Sequence, residues 1–350
     1  MKKLHAAHPL RIFWVSSLLT IALAAYVVFQ LGPAWLWIFT ILVILEVTFS
    51  FDNAVINSKV LARMSARWQM LFLTVGIFIA VFLVRFLFPI LIVMIASGNG
   101  FNPVLDMALN NPEKYSETLH HAAPMIDAFG GAFLIMIGIS YFMDRHKDIH
   151  WLGKIERKLA AAGKYENLKA FVMLGTAMIL YTTVDHEYRL TVLVASIAGI
   201  LLHMGLEVFG AYFESKQSHA KHLTGLAAFT SFLYLEVLDA SFSLDGVIGA
   251  FAITDNVILI IAGLGAGAFW VRSLTVYLLR SGTLGKYRYL ENGAHWAILA
   301  LGIVMFIKLY HIEPPEWITG SLGLVFITTA VVSSILENRH SKKRQTKLAS

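Results

Sequence analysis

No cysteine occurs anywhere in the chain. Disulfides, thiolate metal sites and cysteine nucleophiles are thereby excluded, and nothing in the sequence reports the redox compartment. Charge is scarce too. Lys, Arg, Asp and Glu make up 14% of the residues and apolar types 57%, with a mean hydropathy of +0.68. A soluble domain is about half apolar and about a quarter charged, so a bilayer is the solvent this composition fits. Nucleotide-binding motifs are also missing. Gly263, Gly265 and Gly267 follow no strand, so they read as close helix packing rather than a dinucleotide loop. No HExxH pattern or paired nucleophile occurs. A membrane-embedded metal-dependent enzyme is therefore the weakest of three readings; the chain is not expected to be an enzyme or to hold a resident cofactor.

What the chain has in quantity is apolar length. Ten segments of it stand at roughly 10–32, 35–57, 68–97, 124–143, 168–184, 190–213, 224–252, 256–280, 293–310 and 317–336. A spanning helix needs about 20 such residues, so the sequence predicts an all-α, polytopic membrane bundle of about ten helices, with the bilayer as its first partner. The run from Ile12 to Gly32 is of spanning length, longer than the core of a signal peptide, and is expected to remain as the first helix. Basic residues alternate between connections. Lys2, Lys3 and Arg11 precede the first segment, and Lys59, Arg63 and Arg67 follow the second. Arg145 to Lys169 follow the fourth, Lys216 and Lys221 the sixth, Arg280 to Arg288 the eighth, and a basic tail occupies 337–350. The positive-inside rule then puts both termini in the cytoplasm. That rule also accounts for the net charge of +6 without nucleic acid. The connection 98–123 reads as a solvated extracytoplasmic loop, and 144–168 as a basic cytoplasmic connection. Within the latter, Trp151 to Ala162 form a candidate interfacial amphipathic helix.

One motif occurs twice. Glu46-Val47-Thr48-Phe49-Ser50-Phe51-Asp52 in the second segment matches Asp239-Ala240-Ser241-Phe242-Ser243-Leu244-Asp245 in the seventh. Val84-Arg85 in the third segment is echoed by Val271-Arg272 in the eighth, and Ile137-Gly138 in the fourth by Leu301-Gly302 in the ninth. Three helices correspond in order at an offset of five. An odd offset reverses direction across the membrane, the mark of an inverted-topology repeat with its site between the halves. The repeats run over about 35–143 and about 224–310.

Glu46, Asp52, Asp239, Asp245, Glu236, Arg85 and Arg272 all lie well inside these segments, where an ionisable group costs about 2.5–3.5 kcal/mol on insertion scales. Internal ion pairing alone would leave five acids against two arginines, an excess that a cation or protons would neutralise. Glu46, Ser50 and Asn53 share one helix face; Glu236, Asp239 and Ser243 match it. Asp52 lies about 120° from Glu46 on a regular helix and about 9 Å deeper. Either the helix breaks near Phe49-Ser50 or Asp52 faces a neighbour. Carboxylate, hydroxyl and amide oxygens suit a hard divalent cation. The candidate metal residues are Glu46, Asp52, Asn53, Asp239 and Asp245, supported by Ser50, Ser243, Glu236, Arg85 and Arg272.

These residues resemble the TerC/Alx family of bacterial membrane proteins, within the LysE-like transporter superfamily. Leu45-Glu46 with Ser50-Phe51-Asp52-Asn53 is similar to that family's first acidic motif and Phe242-Ser243-Leu244-Asp245 to its second. Tyr289-Leu290, Gly293 and Ile303 to Lys308 are similar to a later helix. The resemblance covers about 35–310; the extra terminal helices and the long third and fourth connections depart from it. It implies a manganese exporter of the bacterial inner membrane.

Elsewhere, His203 and Glu207 share a face and read as a packing pair, with a proton relay or second metal site as the sharper alternative. Asp185-His186-Glu187 reads as solvated charge, Asp127 as a carboxylate near a positive helix end, and the 12 methionines as core. The function expected is export of a divalent cation, Mn2+ favoured, driven by an ion gradient. A non-transporting metal-stress sensor or scaffold is the nearest rival. The partners are the metal ion and the bilayer; nucleic acid is not one, and a homo-oligomer is compatible with the sequence.

Overall fold

The computed structural model describes residues 9–165, 167–215, 222–251, 253–254, 256–282, 286–312 and 314–349. Lys2, Lys3, Lys216 and Lys221 lie outside that set, as do the side chains of the tail beyond Arg339. Fourteen helices account for nearly all of the described residues: α1 (Pro9–Leu31), α2 (Leu36–Phe49), α3 (Phe51–Arg63), α4 (Ala66–Ile95), α5 (Phe101–Asn110), α6 (Pro112–His121), α7 (Ala123–Phe142), α8 (Lys154–Ala162), α9 (Leu168–Thr183), α10 (Arg189–Ser215), α11 (Gly225–Phe251), α12 (Val257–Ser281), α13 (Leu290–Lys308) and α14 (Glu316–Ala349). No strand occurs among them. This is the polytopic helical membrane protein the apolar segments predict.

Eight helices are long and apolar enough to span. The bent pair of α2 and α3 makes a ninth. The tenth predicted span, α9, has 16 residues, or about 24 Å at 1.5 Å per residue, short of a hydrocarbon core of about 30 Å. The outermost helix, α1, buries only Ser16 and Val27 and shows Trp14, Leu18, Ile21 and Phe29 outward, the surface a lipid-facing helix needs. It is held to α12 by Ser16 Oγ donating to Phe269 O at 2.8 Å and by Trp270 Nε1 donating to Thr20 Oγ1 at 2.9 Å.

The repeats interlock reciprocally. The first motif helices, α2 and α3, pack on α12, the second helix of the other repeat. In return α11 packs on α4, and the two third helices, α7 and α13, pack on each other. Close approach is bought by small residues. A Cβ at Gly263 would stand 2.5 Å from Leu42 Cβ, and one at Gly267 2.5 Å from Glu46 Cβ. Gly263 and Gly267 therefore let α12 lie against α2 at the level of the first acid.

Two connections are more structured than expected. The segment 98–123 is not a solvated loop but the helical hairpin of α5 and α6. Val104, Ala108, Tyr115 and Leu119 are buried, and the Tyr115 ring lies 5.6 Å from that of Phe251. Its apolar residues recur at helical spacing in runs below spanning length, which is why composition hides them. In the second connection α8 is the predicted amphipathic helix, yet it is docked to the bundle. Glu156 is fully buried. It accepts from Lys147 Nζ at 3.0 Å, Asn292 Nδ2 at 2.7 Å, Trp296 Nε1 at 2.9 Å and the backbone N–H groups of Trp151 and Leu152 at 3.0 and 3.2 Å.

Burial opposes the Glu156 charge, but the bonds from Trp296 and Lys147 outweigh it and hold its carboxyl below the ordinary value of 4.5. Because the folded value is depressed, the anchor contributes above the unfolded value and is lost as pH falls through the folded one. Glu156→Gln at neutral pH is expected to cost about 3–5 kcal/mol, the range for breaking a buried pair from one side. Limited proteolysis between 144 and 168 should detect the release. A cleavage rate equal to wild type would remove the anchor. Lys59 and Lys147 both stand over the Tyr141 ring, at 5.9 and 4.1 Å. The Tyr141 ring thus brings Lys59 of α3 and Lys147 of the connection after α7 together.

Candidate functional site

The site begins with a broken helix. Ser50 has φ −101° and ψ 13°, and α2 and α3 meet there at 50°. Both arrangements that the six-residue spacing allows are found: the helix breaks, and Asp52 faces a neighbouring helix, α14. No proline lies at the break; the Ser50 hydroxyl donates to the Glu46 carboxylate, at Oε1, at 2.8 Å. Breaking the helix places Asp52 in the first turn of α3, where its Oδ1 accepts from Asn53 N at 3.0 Å. The positive end of a helix favours a carboxylate there.

Around the break the acids of both repeats gather. Asn53 Nδ2 donates to Asp239 Oδ1 at 2.7 Å, joining α3 to α11. Arg85 Nη2 is in direct contact with Glu46 Oε1, and Arg85 Nη1 lies 3.6 Å from Asp239 Oδ2. Arg85 thus bridges one acid of each repeat. Arg272 Nη2 stands 3.4 Å from Glu236 Oε1 and 3.9 Å from Asp239 Oδ2. It also donates to Gly76 O at 3.2 Å and covers the Phe72 ring at 3.7 Å. Glu46, Asp52, Asn53, Arg85, Glu236, Asp239 and Arg272 are each at most 6% exposed. They are buried inside the bundle, and all but Asp52 are joined to one another by the side-chain bonds and ion pairs above. The segment of α4 that carries Arg85, Ile79–Leu87, is π-wound, a winding that is rare and recurs at functional sites.

The balance remains acidic, with four described carboxylates against two guanidiniums. Among the described residues no three of His, Asp and Glu converge closely enough to hold a metal ion. The arginines occupy the layer instead. Asp245 lies on α11, and its side chain is outside the described residues. Asp52 packs against α14, where a Cβ at Gly323 would stand 3.4 Å from Asp52 Cγ. Sequence reading missed that wall, because α14 belongs to neither repeat.

His203 and Glu207 do not pair with each other in the described hydrogen bonds. Lys169 Nζ donates to both Glu207 oxygens at 2.5 and 2.6 Å, while the His203 ring packs edgewise on Phe133 at 6.0 Å. Both line a cavity of about 420 Å³ together with Ile56, Lys59, Tyr234 and His295. Ile56 is one turn from Asn53, so the cavity approaches the carboxylate layer from the basic end.

The match of a family model settles what kind of chain this is. The family described as "Protein of unknown function (DUF475)" matches residues 51–341. The chain belongs to DUF475. It is therefore not a TerC/Alx protein: DUF475 is a distinct family. The short acidic motifs at Asp52 and Asp245 carried the resemblance and are not specific to that family. The preference for manganese, which that resemblance implied, falls with it. This DUF475 protein is also similar to the uncharacterized membrane protein RP786 of Rickettsia prowazekii (strain Madrid E), at 25% identity over 136 residues. That stretch is 39% of this chain and 44% of the relative, so the match spans less than half of the relative's length. No solved structure matches.

Proposed function

We propose that this protein moves a hard divalent cation across a membrane through the carboxylate layer shared by its two repeats. The observation that carries the reading is the bond from Asn53 to Asp239, which joins the two motif helices at their buried acids. Oxygen donors alone suit Mg2+, Ca2+ or Mn2+, and ligand type does not choose among them. In this reading Glu46, Asp52, Asn53, Asp239 and Asp245 meet the ion, Arg85 and Arg272 balance the acids when it is absent, and the cavity beside Ile56 is the cytoplasmic approach. Both termini then face the cytoplasm. The protein carries no chemistry of its own and needs no cofactor.

The test is flux of Mn2+, Mg2+, Ca2+ and Zn2+ in proteoliposomes, with Asp239→Asn and Asp52→Asn alongside. A hydrogen bond or contact to a charged group is worth about 1.5–3 kcal/mol. Each variant should accordingly lower flux by about 10- to 100-fold at a subsaturating ion concentration. Undiminished flux in both would defeat the site. Saturable binding without flux would assign the sensor or scaffold role instead.

A further inference from the structure

The repeats share a motif but differ in conformation. The first motif helix is broken at Ser50 and bent by 50°, whereas α11 runs unbroken from Gly225 to Phe251 through Ser243. Ser50 Oγ donates to Glu46, while the buried Ser243 Oγ makes no hydrogen bond. The second helix of the first repeat is π-wound over Ile79–Leu87 and brings Arg85 against Glu46. Its counterpart α12 is α-helical from Val257 to Ser281 and leaves Arg272 Nη2 3.9 Å from Asp239 Oδ2. Each of these differences falls on a pair of positions that the repeat makes equivalent. One half is locked and the other is slack.

Buried acceptors without a hydrogen bond line the slack half and the α3 residue bonded to it. Glu236 Oε2 and Ser243 Oγ on α11 and Asn53 Oδ1 on α3 make no hydrogen bond, and Asp239 Oδ2 makes none either, being held only at ion-pair distance, 3.6 Å from Arg85 Nη1 and 3.9 Å from Arg272 Nη2; all four residues are more than nine-tenths buried. Glu236, Asp239 and Ser243 lie on one face of α11 at i, i+3 and i+7, and Asn53 is fixed beside them by its own bond to Asp239. Two carboxylates, an amide oxygen and a hydroxyl are a donor set for a hard cation.

We propose that the ion is first taken at this slack half, and that the repeats then exchange conformations. α11 bends at Ser243, Arg272 closes on Asp239 as the ion departs, and Arg85 releases Glu46. With the repeats inverted, as their odd offset in the sequence predicts, the exchanged state faces the opposite side of the membrane. This rests on the transport reading above and adds to it which half binds first and which bonds are traded.

Hydrogen exchange on the unmodified chain in lipid nanodiscs tests it, with Mn2+, Mg2+ or Ca2+ as the only added ion, beside flux of the same ions. Without an ion, amides around 48–54 should exchange at least about tenfold faster than those around 241–247, since a broken helix opens more readily than a continuous one. An ion that is transported should narrow or reverse that ratio. A transported ion that leaves the ratio unchanged, or protects both segments together, would overturn the exchange and leave transport standing. Flux of none of the three would remove the transport reading and the exchange with it.

Discussion

Arg85→Ala is expected to lower stability by about 3–5 kcal/mol, because it leaves a buried acid without its partner. Folded proteins are stable by only about 5–15 kcal/mol, so much of the folded population should be lost on extraction into detergent. Glu46 would keep only the Ser50 hydroxyl among its described side-chain partners, and Asp239 would rely on Asn53 and the more distant Arg272. Adding Glu46→Gln removes the stranded charge and should recover a large part of the loss, a coupling of about 0.5–3 kcal/mol. Arg272→Ala should cost less than Arg85→Ala, since its closest carboxylate oxygen is 3.4 Å away. Thermal unfolding of the three variants, followed by size-exclusion chromatography, reads the order directly. Equal stability of Arg85→Ala and wild type would show that the layer is not held by this bridge.

The second large effect lies on α12. Gly267→Ala and Gly263→Ala should each cost about 1–3 kcal/mol by overpacking, because the new methyl would sit 2.5 Å from Glu46 Cβ or from Leu42 Cβ. Gly267→Ala should also reduce flux more than Gly263→Ala, since the atom it displaces carries the acid. Gly265 is the control within the same helix. Its Cβ would meet Val81 Cγ1 at 3.4 Å, which is ordinary contact, so Gly265→Ala should be neutral or stabilising by up to about 1 kcal/mol. A loss at Gly265 as large as at Gly267 would mean that the α2 seam does not set the effect, since helix propensity favours alanine at both positions.

The repeated acidic motif was legible in the sequence because charge inside apolar runs is rare enough to stand out, and both arginines were found the same way. The pairing of Arg85 with Glu46 and Asp239 was not legible, since which acid a guanidinium reaches depends on the winding of Ile79–Leu87. The break at Ser50 is not legible in the sequence, because no proline or glycine marks it and spacing alone does not require it. Glu156 escaped notice for a different reason. It sits in a basic, polar connection where a carboxylate looks solvated, and its five donors come from places as distant as Lys147 and Trp296. The hairpin of α5 and α6 was hidden by its shortness. The family resemblance misled because short acidic motifs such as Ser50-Phe51-Asp52-Asn53 and Phe242-Ser243-Leu244-Asp245 say more about how acids are buried in paired helices than about descent.

The layer of Arg85 and Arg272 has a consequence for energetics that ion concentration does not capture. Both guanidiniums are permanently charged, and both lie buried in helices long and apolar enough to span. An elementary charge carried across a potential of 100 mV changes free energy by about 2.3 kcal/mol. A rearrangement that shifted one of them through a third of that drop would be biased by a little under about 1 kcal/mol. The resting voltage of the cell would then help decide which arginine holds its acid, and the protein would respond to electrical as well as chemical gradients.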